Sequence, residues 1–198
     1  MKQVIILAIS LLSQFFMEAQ TSTKISKYET AMLENIRQID TASAFTLLQL
    51  ANNFERIGNI EKEKWEPFYY AAYSYTALAF TTPDKNQIDG LADQADKLIA
   101  QAKALEPNSC EITVLEAMSI SCRIMVDPVS RFQTKGREVA MLLAKAKQQD
   151  VTNPRIYLLE ARMQLRTPEA FGGGKHVAKT TIATSLQRFA TFKPANNL

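Results

Sequence analysis

The residues with the widest chemical possibilities run consecutively: Gly172-Gly173-Gly174-Lys175-His176. Glycine before lysine suggests a phosphate-holding loop, G-x-x-x-x-G-K-[ST], set between a strand and a helix. The match fails, because Glu169 stands where the first glycine belongs, His176 stands where a hydroxyl is needed, and no strand-like segment comes before. The stretch is read as a flexible turn opening a helix, where free N–H groups and Lys175 can hold a carboxylate or another anion. His176 is the single histidine, so any Ser-His-Asp or Cys-His arrangement must use it. Beside a glycine turn nothing fixes the ring for proton transfer, and it is read as a surface residue. No catalytic residue is assigned, and the chain is expected to be non-enzymatic.

Cys110 and Cys122 are both placed on one helix. At the helical rise their Cα atoms stand ~18 Å apart, well beyond the ~7 Å a disulfide spans. They are read as small core residues. Two cysteines and one histidine cannot complete a four-ligand zinc site of the Cys/His type, so neither metal nor cofactor is expected. Aromatic side chains crowd residues 65–80. At 100° per residue Trp65, Tyr69, Tyr73 and Phe80 share one face with Ala72 and Thr76, which is core patterning. Tyr70 and Tyr75 fall off that face on opposite sides. Tyrosine suits binding surfaces because it joins a large contact area to a polar tip. Tyr70, Tyr75 and Lys175 are therefore the expected partner-binding residues.

The elements that must carry these residues follow from periodicity. The chain of 198 residues is 46% apolar, with a net charge of +3, ordinary for a folding chain. Its basic residues are scattered, which argues against a nucleic-acid partner. The first 19 residues stand apart. Lys2 precedes an apolar run over residues 4–16, and Met17-Glu18-Ala19 comes next. That is the layout of a secretory signal cut after Ala19, too short for the ~20 residues that span a bilayer. The expected division is a signal peptide at 1–19 and one helical domain at 20–198, periplasmic or secreted, with no stable membrane insertion after cleavage.

A 44-residue repeat decides the fold. Ile112-Thr113-Val114-Leu115-Glu116-Ala117 returns as Ile156-Tyr157-Leu158-Leu159-Glu160-Ala161. The same step links Ala51, Ala95, Val139 and Ala183. Three residues on it links Phe54, Leu98, Leu142 and Leu186, and seven on, Gly58, Ala102, Ala146 and Ala190. Small, large, small at i, i+3, i+7 marks one helix face. Ala72, Ala117 and Ala161 look equivalent on the other helix of each unit. Gly58 is expected to end a helix in the left-handed conformation, and Pro67 and Pro128 to sit in first turns. The spacing predicts helices at about 24–39, 41–57, 65–80, 86–105, 109–125, 133–149, 154–166 and 175–191, and no sheet.

These residues resemble the tetratricopeptide repeat. That family places small residues seven apart on the second helix with proline soon after, as Ala95, Ala102 and Pro107 do here. The period of 44 exceeds the family's 34, and the surplus is expected in turns at 81–85, 126–132 and 167–174. The resemblance implies an all-α fold of four stacked antiparallel helical hairpins, a short tetratricopeptide-like superhelix. It implies a scaffold that engages a protein or peptide through a concave helical surface. The alternative is a small-molecule-binding accessory protein of a transport system, in which the units wall a closed pocket.

Overall fold

The computed structural model describes residues 26–194 and 198; the expected signal segment lies outside them. The chain divides into two compact units, residues 1–31 and 32–198. Ser26 starts helix α1 (Lys27–Ile36), whose residues fall in both units. The Glu29 amide donates to the Ser26 hydroxyl at 3.1 Å, and the Ser26 amide donates to the Glu29 carboxylate at 2.8 Å. Each satisfies a donor that a helix start otherwise leaves open.

The second unit holds α2 (Ala44–Ile60), α3 (Glu66–Thr81), α4 (Lys85–Leu105), α5 (Cys110–Ile124), α6 (Pro128–Gln149), α7 (Pro154–Arg166) and α8 (Lys175–Phe189). Among the described residues there is no strand, and the protein is all-α. Ser43, Asp84, Ser109, Asp127 and Asn153 each cap a helix by accepting a backbone N–H, as short polar side chains do at that position. Pro67, Pro128 and Pro154 occupy first turns, where a missing N–H costs nothing.

Helices adjacent in sequence pack as hairpins, α3 with α4, α5 with α6 and α7 with α8, and α2 lies along α3. The first helices also meet, α3 with α5 and α5 with α7, so the hairpins stack. The repeat is visible in polar contacts. Lys103 reaches Glu116 at 2.8 Å, and Lys147 reaches Glu160 at 2.8 Å, 44 residues on. Both pairs are partly exposed and each contributes only ~0–1 kcal/mol; they mark register more than they stabilise. Ala51, Ala95 and Ala102 are fully buried, as are Gly58, Val139 and Ala146, and they form the seams where helices approach.

Three details differ from the sequence reading. The surplus of the 44-residue period lies mainly in long second helices, 21 residues in α4 and 22 in α6. Asp127 caps α6 at Ser130, so residues expected in a turn are helical. Gly58 does not end α2. It sits inside the helix, where a Cβ would come within 2.8 Å of the Phe68 ring, so it is glycine for close approach.

The third difference is the register of the last unit. Ala183, Leu186 and Ala190 are exposed, and Ala178 and Ser185 are buried instead. The seam has moved five residues towards the N-terminus. The cause is the glycine segment. Where α6 forms its first two turns, residues 167–174 form a short 3-10 turn (Glu169–Phe171) and a reversal. Gly172 and Gly174 have φ of 80° and 96°, which glycine alone adopts without strain. A Cβ on Gly173 would collide with the Thr167 carbonyl. The Gly174 amide donates to the Gln164 carbonyl at 2.8 Å and the Gly173 amide to the Pro168 carbonyl at 3.2 Å. The segment is thus a built cap on α7 and not a flexible loop, and all three of its glycine amides are already engaged, Gly172 donating to the Glu169 carbonyl at 2.9 Å.

Candidate functional site

The first helices of the stacked hairpins end close together. Phe80 lies in the last turn of α3, Ile124 at the end of α5, and Met163 and Arg166 at the end of α7. Between them are two depressions of about 360 and 330 Å³ that share Ser121, Met163 and Arg166 and so make one groove. Its walls are apolar: Phe80, Ile124, Met125, Phe132 and Leu159. Leu159 also belongs to the core built by Val114, Val139 and Ile156, which holds the floor rigid. A third depression, about 400 Å³, shares Phe132 and Met163 and runs between α6 and α7 to Phe171.

Two cations line the groove. Arg162 and Arg166 are exposed, and the Arg166 guanidinium lies 5.8 Å over the Phe80 ring. Among the described residues neither forms an ion pair with a carboxylate. Nearby arginines differ. Arg123 holds Asp93 at 2.8 Å and Asp96 at 2.6 Å, and Arg131 grips both oxygens of Asp89 at 2.7 and 2.8 Å. The Arg131 hydrogen bonds hold the Asp89 carboxyl below its ordinary range. The groove thus presents apolar walls and uncompensated positive charge, with no acidic residue in its lining.

The opposite ends of the same helices line a half-open cavity of about 430 Å³. Trp65, Tyr69, Tyr70 and Phe192 supply aromatic walls. Glu111 organises one side, accepting from Asn153 at 2.8 Å, Arg155 at 2.9 Å and the Tyr69 hydroxyl at 3.5 Å. Burial pushes the Tyr70 phenol and the Cys110 thiol up to about 12 each, so both stay protonated at neutral pH.

The structure does not bring the three expected site residues together. Tyr70 lines the aromatic cavity and stacks on Phe54 with ring centres 5.5 Å apart. Tyr75 is 9% exposed and lies beside the Glu55 carboxylate of α2, where burial and then that charge raise its pKa. Lys175 is exposed at the start of α8 next to exposed His176, outside both concavities. Sequence reasoning missed Arg162, Met163 and Arg166. Their signal was the i, i+4 arginine pair at the end of a repeat helix. Both cysteines are free and lie on α5. Among the described residues no helix is long and apolar enough to cross a membrane, and no cluster of side chains is arranged to hold a metal ion.

No protein-family model matches this chain, and no curated protein matches it. Among solved structures it is similar to the HusA haemophore from Porphyromonas gingivalis, with 33% identity and a TM-score of 0.77, over 87% of this chain and 86% of that one. A haemophore carries haem, a small molecule. That overturns the expectation of an open concave surface for a protein or peptide. The face shared by the first helices carries half-open concavities of about 330 to 430 Å³, a size that suits a small molecule. With that identity over most of both chains, this protein belongs to the family of the HusA haemophore.

Proposed function

We propose that this protein is an exported, non-enzymatic haem carrier, built from tetratricopeptide-like hairpins at residues 20–198 after removal of residues 1–19. The likeness to the HusA haemophore carries the reading. Haem is a flat apolar ring with two carboxylates on one edge. The groove at the ends of α3, α5 and α7 suits both parts. Phe80, Phe132, Ile124 and Leu159 offer apolar contact to the ring. Arg162 and Arg166 offer donors to the propionates, and Arg–carboxylate pairs are among the stronger charged contacts. The aromatic cavity suits haem less well, because Glu66, Glu106 and Asp150 line it beside Glu111 and repel carboxylates.

The groove contains no histidine, and its softest donors are the thioethers of Met125 and Met163, a ligand type that haem iron accepts. Apolar contact and the arginine pair then supply most of the binding. Titration of haemin into the purified chain, followed in the Soret band, should saturate near one equivalent. Charge reversal at Arg162→Glu with Arg166→Glu should weaken binding by roughly 100-fold, the scale of two charge-assisted contacts at 1.5–3 kcal/mol each discounted for exposure. An absent spectral change, or equal binding by the double variant, rules out this groove as the haem site.

A further inference from the structure

In an array of stacked hairpins the last unit ordinarily turns a polar face to water. The last unit here departs from that rule. The buried positions of α8, Ala178 and Ser185, answer to Val139 and Ala146 of α6. On that register Lys175, Lys179, Ile182 and Leu186 answer to Gly136, Ala140, Leu143 and Lys147. Those four α6 residues line the depression between α6 and α7, so they mark the edge that the next hairpin covers. Leu143 is 6% exposed and shares a core with Ile156 and Leu159 of α7. Its counterpart Ile182 is 38% exposed, and Leu186 and Phe189 are 64% and 43% exposed. At 100° per residue Lys175, Lys179, Ile182, Leu186 and Phe189 fall within ~80° of one another. They form one uncovered strip, cationic at its start and apolar at its end.

The charge around the strip has one sign. Residues 170–198 hold Lys175, Lys179, Arg188 and Lys193 and no Asp or Glu, while the whole chain carries a net charge of only +3. The positive charge is thus concentrated in the last helix and the residues after it. Arg188 is engaged on the Tyr157 ring, 4.5 Å from its centre. Lys175 and Lys179 are exposed, and among the described residues neither forms an ion pair.

An apolar strip accompanied by lysines is the pattern of a helix that lies in a membrane interface, its apolar side chains at the acyl boundary and its lysines among the headgroups. A second copy suits the strip less well. A two-fold contact sets the same surface on both sides, and residues 170–198 of both copies supply cations with no Asp or Glu to meet them. We infer that the outer edge of α8 docks on an anionic lipid surface, with Ile182, Leu186 and Phe189 entering the interface and Lys175 and Lys179 meeting lipid phosphates. The docking is peripheral, because α8 has 15 residues and ~20 are needed to span a bilayer. It does not rest on haem binding.

The exported chain, its N-terminus checked by mass, is sedimented with vesicles of phosphatidylcholine alone and of equal parts phosphatidylcholine and phosphatidylglycerol. Anionic vesicles should bind it roughly tenfold or more tightly, the scale of two lysines at a charged surface, and salt should weaken that binding. Lys175→Gln with Lys179→Gln and, separately, Leu186→Ser should each weaken it several-fold. Lys85→Gln with Lys97→Gln, the same loss of charge at exposed positions of α4, should leave it unchanged. Circular dichroism checks that each variant keeps its helices. The inference is overturned by equal binding to both kinds of vesicle, by equal loss in the two lysine pairs, by an unaffected Leu186→Ser, or by no binding, which would leave a partner protein as the occupant. A dimer that is seen by light scattering and dissolved by Leu186→Ser also overturns it, since a second copy then covers the edge.

Discussion

At the level of single residues, burial sets reactivity and tolerance. Desolvation pushes Cys110 and Cys122 from an ordinary 9.0 up to about 12, and the thiolate is the reactive form. Iodoacetamide at pH 8.5 should label the native chain slowly and both thiols rapidly in denaturant. A disulfide found in place of two thiols contradicts this. The folded thiols keep protons that the unfolded chain loses above pH 9, so their contribution falls as pH rises from about 9 towards 12. Two glycines give a paired test of space. Alanine is the better helix former by ~1 kcal/mol. At Gly90 nothing lies within 4 Å of a new Cβ, so Gly90→Ala should raise the denaturation midpoint. At Gly58 the buried Phe68 ring stands 2.8 Å away, and overpacking of ~1–3 kcal/mol should outweigh the propensity, so Gly58→Ala should lower it. A rise in both would mean that Phe68 yields.

Helix pairing tracks seams of small residues, and these can be tested one position at a time. Ala146 is fully buried and Ala190 is exposed. Ala146→Leu should cost ~1–3 kcal/mol, and Ala190→Leu should change stability by less than about 0.5 kcal/mol. Ser185→Leu should cost at least as much as Ala146→Leu. It overfills the seam and removes the hydroxyl that donates to the Pro154 carbonyl at 2.9 Å. Denaturant melts of the three variants separate this register from the one continued at 44-residue steps. The internal units were legible in the sequence because Ala102 and Ala146 repeat a burial requirement at a constant step. The last unit was not, because Gly172-Gly173-Gly174 replaces two helical turns and shifts the buried face of α8. The groove was hardest to see, since Arg162 and Arg166 look like any solvated charges until the ends of α3 and α5 come beside them. Tyr75 misled for the opposite reason: in the sequence it lies off the main apolar face, and in the fold it is buried beside Glu55 of α2.

For the molecule as a whole, the expected signal has a direct test. Protein recovered from its native envelope should begin at Gln20, and a mass corresponding to intact Met1 contradicts cleavage. Haem stoichiometry belongs to this scale as well. One groove per chain predicts one saturable haem, and the double arginine variant should lose it while keeping its helical circular dichroism. The paired ties, Lys103 to Glu116 and Lys147 to Glu160, and the matching caps at Ser109 and Asn153, have a further consequence. Residues 110–153 begin after one cap and end on its counterpart, so they form a cassette bounded by matching ties. Each junction offers a lysine and a polar cap to the unit that comes next, although α4 packs along α5 more extensively than α6 does along α7. Duplicating the cassette would lengthen the array by one hairpin, and deleting it would shorten the array by as much. Gene duplication can thus change the length of the stack in steps of one hairpin, leaving evolution to adjust only the side chains that the added hairpin exposes.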